Sequence, residues 1–90
     1  MDKKESKLNS EYRTKDIYIA SVLLAKGIEL KGLESAENNK DFKLFVFSNS
    51  TECKSIVADF WNNEISIKAR SLFDSLFALR NRLKAEKTTS

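Results

Sequence analysis

The chain has 90 residues, with 16 Lys and Arg against 13 Asp and Glu, no His, no Pro, one Cys and two Gly. That length supports one domain with one modest core, and 41% hydrophobic with 32% charged residues is the balance of a folded globular chain. Without His there is no imidazole base, no Ser-His or Cys-His nucleophile pair and no His-ligated metal, and the lone Cys53 forms no internal disulfide.

In chain order, residues 1–11 are polar and charged without apolar periodicity and read as a flexible tail. Residues 12–87 read as a single α+β domain, and residues 88–90 as a frayed end. Thr14 is a helix N-cap candidate, with Asp16 in the first turn where a negative charge suits the helix dipole. Ile17, Ala20, Leu23, Leu24 and Ile28 then recur at helical spacing, and Ile19 and Val22 widen the stripe, so this helix is expected to be largely buried. Gly27 ends it.

After Gly27 the period changes to two. Ile28-Glu29-Leu30-Lys31 alternates as a half-buried strand does, 35–41 is a polar loop, and Phe42 to Phe47 is an aromatic-rich strand. Together they predict an antiparallel hairpin. Ser50 or Thr51 caps a second helix, with Cys53, Ile56, Val57 and Phe60 on one face and Trp61 extending it. Asn62-Asn63 breaks that helix, and Ile65-Ser66-Ile67 alternates as a short third strand would. A long last helix runs from about Lys68 to Lys87, with Ala69, Leu72, Phe73, Leu76, Phe77 and Leu83 inward. The expected fold is therefore helix, hairpin, helix and long C-terminal helix, with the helices packed on one face of a small antiparallel sheet.

The run Thr14 to Leu30 (TKDIYIASVLLAKGIEL), the Phe45-Val46-Phe47 triplet, Phe60 and Ala78 to Ala85 (ALRNRLKA) resemble a family of small bacterial and phage proteins described as a domain of unknown function. The likeness covers residues 12 to 86. Its Thr-Lys-Asp-x-Tyr opening and Lys-Gly helix end are the most specific elements, and the polar loop with Asn38-Asn39 in place of glycines departs from the pattern. The resemblance implies a phage or mobile-element setting and an αββα-type fold. It implies no activity and no catalytic residue.

Charge is unevenly placed: residues 64–90 hold six basic and three acidic groups, while the rest of the chain is balanced. On a wheel turning about 100° per residue from Leu72, Arg80, Lys84 and Lys87 fall at about 80°, 120° and 60°, beside the apolar face, and Arg82 at about 280°. The last helix thus turns from apolar to basic along one side, and these four residues are the candidate nucleic-acid contacts, joined by Lys3, Lys4 and Lys7 of the tail. Snorkelling stems at a helix end are the plainer explanation. Phe45 and Phe47 share a strand face where an RNA-recognition sheet stacks bases, but a small core needs them more. Trp61 is expected to close the core, the other reading being an interface anchor.

Thr14-Lys15-Asp16 reads as a cap, and Cys53 on its apolar stripe as inert packing. Glu34, Glu37 and Asp41 crowd the loop without calcium-loop spacing, and no Ser lies in a nucleophile motif. No run of about 18 apolar residues exists to cross a membrane, and the N-terminus has no secretory h-region. The expectation is a cytoplasmic, non-enzymatic protein without cofactor, metal or membrane role. It binds DNA or RNA through phosphate contacts or, alternatively, serves as an interaction module for a host protein or a second copy of itself.

Overall fold

The computed structural model describes residues 10–36 and 39–88, with side chains at all of these except 36, 39–42, 87 and 88. Three strands and three helices follow in the order β1 (Tyr12–Thr14), α1 (Ile17–Ala25), β2 (Leu30–Ala36), β3 (Asn39–Phe47), α2 (Ser50–Trp61) and α3 (Ala69–Thr88). The sheet is antiparallel with order β1-β3-β2. The α+β class and the long C-terminal helix are as expected. The third strand is not Ile65–Ile67, which forms a linker whose two isoleucines pack against the core. It is β1, at the other end of the chain, so a strand precedes the helix that the αββα expectation placed first. The hairpin is also longer than expected, since most of 35–41 is drawn into its two strands.

Helix α1 is capped by Asp16 rather than Thr14. The Asp16 carboxylate accepts from the Tyr18 and Ile19 amides at 2.8 and 3.2 Å, while Thr14, held in β1, accepts the Asp16 amide at its hydroxyl at 3.1 Å. At the other end the Gly27 amide donates to the Leu24 carbonyl and the Ile28 amide to that of Leu23, both at 3.0 Å, the two bonds of a Schellman motif. Gly27 takes φ +94, a conformation that a β-carbon disfavours. Leu23 and Ile28, the apolar pair of that motif, both lie in the core.

The second glycine serves the sheet. Leu30 pairs with Phe47 and Gly32 with Val46, so Lys31 is an extra residue in β2, and Gly32 takes φ +156 as the strand bulges.

Phe45 and Phe47 point from β3 into a core with Ile19, Leu23, Ile28, Cys53, Ile56 and Leu79. Their burial removes them as stacking platforms. Helix α2 is capped not by Ser50 or Thr51 but by Asn49, whose amide oxygen accepts from the Glu52 amide at 3.2 Å while its nitrogen donates to the Glu52 carboxylate at 3.0 Å. It ends as expected at Asn62-Asn63, with Asn63 at φ +62. Ser10, within the stretch read as tail, accepts the Ser50 amide at 2.6 Å. Residues 1–9 of that tail, with Lys3, Lys4 and Lys7, lie outside the described residues, as do Glu37 and Asn38, the 89–90 end and the side chains of Asp41 and Phe42.

Helix α3 packs on α1. Leu72, Leu76, Leu79 and Leu83 form its covered stripe, and Leu79, absent from the expected inner face, is the one buried residue among its described side chains. Phe73 and Phe77, expected inside, are each 65% exposed. A single neighbouring helix covers only one side of α3, and the leucines take that side. Trp61 is likewise outside, at 68%, because it stands at the last turn of α2 where the chain swings away.

Candidate functional site

Three helices together carry an exposed aromatic face. Tyr18 on α1 is 61% exposed. Between α1 and α3 an apolar groove of about 330 Å³ is floored by Ser21, Val22, Leu72 and Leu76 and walled by Tyr18, Phe60 and Phe73. Phe60 meets Trp61 edge to face, with ring centroids 5.0 Å apart and planes at 70°. Further along α3, a second hollow of about 340 Å³ is lined by Phe73, Asp74, Leu76, Phe77 and Arg80.

The sequence explains why this face exists. Phe73, Phe77, Arg80 and Lys84 follow one another at spacings of four, three and four, one ridge of an α-helix running beside the leucine ridge that grips α1. Arg80 and Lys84 are exposed and do lie beyond the aromatics on this ridge, as the helical wheel placed them. Arg82 is exposed on the other side of the helix, so it does not join them. The side chain of Lys87 lies outside the described residues. The four basic candidates are therefore not brought into one patch. Asp74, in the same hollow as Arg80, is paired in its own helix with Arg70 at 4.0 Å. Spacing revealed the ridge, but that the phenylalanines face solvent was not expected.

The open side of the sheet is covered differently. Arg13 on β1 donates two bonds to Glu34 on β2, at 3.0 and 3.1 Å, and one to Glu11 at 2.9 Å, while Lys31 lies 3.8 Å from Glu11. This clasp ties together the two outer strands, with β3 between them. Val46, beside Gly32 and Arg13 in the register, is buried although it alternates away from the core face. The hydrogen bonds from Arg13 hold the Glu34 carboxyl below its ordinary range.

Cys53 is enclosed in the core, where its thiol donates to the Ser48 carbonyl at 3.4 Å, and burial, with a smaller effect of Glu52, pushes its pKa up. Such a thiol is a packing group rather than a nucleophile. Burial is also the largest cause raising the pKa of Tyr12, ahead of Cys53 and Asp16. Among the described residues no group of three or more His, Cys, Asp or Glu is placed to hold a metal ion, and no helix is long and apolar enough to cross a membrane.

A family model described as a domain of unknown function (DUF5659) matches residues 9–84, from just before β1 to the last turns of α3. The chain belongs to this DUF5659 family. The match takes in all three strands and every residue of the aromatic face, so the face is part of the DUF5659 domain and not an appendage to it. Comparison with curated proteins and with solved structures returns no match.

Proposed function

We propose that this DUF5659 protein is a non-enzymatic interaction module whose contact surface is the aromatic face shared by α1, α2 and α3, and that its partner is a protein. One observation carries the reading: Tyr18, Trp61, Phe73 and Phe77, four large side chains that a small core would normally absorb, are all more than half exposed, and Tyr18 and Phe73 flank an apolar groove. Grouped aromatic side chains around a groove are the usual anchors of a protein contact. The reduced, buried Cys53 fits a cytoplasmic setting, and the likeness to small phage and bacterial proteins supports a mobile-element context. Replacing Tyr18 by the photo-crosslinking residue benzoylphenylalanine, in cells of the native source, tests the proposal. Adducts to polypeptide are expected, and adducts to nucleic acid alone overturn it.

A second reading is favoured by the continuation of Phe73 and Phe77 into Arg80 and Lys84. Rings followed by cations along one ridge suit a single nucleic-acid strand, with bases on the rings and phosphates on the cations. Fluorescence anisotropy of labelled single-stranded and duplex oligonucleotides at two salt concentrations decides it. Binding that collapses with salt and disappears in Arg80→Glu/Lys84→Glu supports this reading, and no binding at low salt removes it.

A further inference from the structure

We infer that the α3 part of this face is an interface between two copies of the chain, with their α3 helices antiparallel about a two-fold axis at Phe77. This rests on reading the face as a protein contact, and it specifies the partner. A two-fold interface needs one patch that is complementary to itself. Phe77 supplies a projecting ring, and the hollow beside it, lined by Phe73, Asp74, Leu76 and Arg80, supplies the recess for the ring of the other copy.

Charge fixes the register. When two identical helices run antiparallel about a dyad, residues at equal distances before and after it face each other. Three positions before Phe77 stands Asp74, and three positions after it Arg80. Each Arg80 therefore meets the Asp74 of the other copy, giving two symmetric ion pairs around a central aromatic contact. Arg70, which already approaches Asp74 within its own helix, leaves the acid between two cations instead of displacing it. One turn further out, at seven residues on either side, Arg70 and Lys84 carry like charges. These lie about 10 Å along each helix from the axis. Helices crossing at about 50° have separated by then, which keeps the two cations apart.

Sedimentation equilibrium over a micromolar to sub-millimolar series of the full chain tests the inference. A reversible dimer is expected. Asp74→Arg and Arg80→Asp, each affecting both symmetric contacts, should weaken it about tenfold apiece, and the double variant should recover most of the loss. Phe77→Glu should leave a monomer with an unchanged circular dichroism spectrum. A chain monomeric throughout the series overturns the dimer. So does a dimer in which the double charge reversal is no better than either single one, since the contact then lies elsewhere. Neither result touches the protein-contact reading, which the crosslink at Tyr18 decides separately.

Discussion

Truncating Leu79 and Phe77 to alanine, two residues apart on α3, should give opposite results. Leu79 is 1% exposed and packs in the cluster that holds Leu23, Phe45 and Phe47. Its loss removes buried carbon and leaves a cavity, which costs about 3 kcal/mol. That is a large share of the roughly 5–13 kcal/mol that holds a domain of this size together. At roughly 4–8 °C per kcal/mol the melting temperature should fall by roughly 12–24 °C. Phe77 has about a third of its surface covered, so its truncation should cost under about 1 kcal/mol of monomer stability. Urea denaturation followed by circular dichroism, at concentrations low enough to suppress association, measures both. The decisive control is a repeat at tenfold higher protein, because any stability that Phe77 adds through a dimer rises with concentration. If Phe77→Ala proves as costly as Leu79→Ala and independent of concentration, α3 is turned the other way on α1 and the exposed face does not exist.

Other perturbations reach the turns, the clasp and the core. Gly27→Ala meets no atom within 4 Å of the new carbon, so its cost is that of the φ +94 backbone alone, about 1–2 kcal/mol by thermal melting, with Gly27→Asn milder. Asn49→Ala should lose about 1 kcal/mol with the cap, and Asn49→Gly less, since glycine tolerates the φ +59 that Asn49 adopts. Because Glu34 is held below its unfolded pKa by Arg13, its contribution is present above the ordinary carboxylate range and disappears as pH falls through the lowered value. A carboxyl NMR titration should show that low midpoint, and Arg13→Ala should return it to the usual range. Cys53 should react with a thiol reagent only at the rate at which the native chain opens, and immediately in denaturant.

What the sequence disclosed depended on whether a signal was local. The end of α1 was readable at Gly27 because a glycine after an apolar run is a complete motif in itself. The strand containing Phe45 and Phe47 was readable from composition, and Cys53 from its place on the α2 stripe. Strand β1 was not, since three residues show no period and Tyr12–Thr14 become a strand only by pairing with the distant β3, Thr14 with Phe45 and Tyr12 with Phe47. Helix α3 shows the same limit in another form. Its leucines and phenylalanines are equally apolar on a helical wheel, and the choice between them is made by the width of α1. The order of Phe73, Phe77, Arg80 and Lys84 along one ridge was thus legible, and its exposure to solvent was not.

The pairing of β1 with β3 also has a consequence for biosynthesis. The partners lie roughly thirty residues apart in the chain, a non-local closure that slows folding. On the ribosome β1 and α1 are made first, yet the strand has nothing to pair with until Phe47 has emerged. Over the same interval α1, with five consecutive residues from Ile19 to Leu23 that end up buried, has no sheet to lie on. The first part of the domain to be synthesised therefore waits for β3, and a nascent chain arrested before β3 presents an apolar helix that a holding chaperone would recognise.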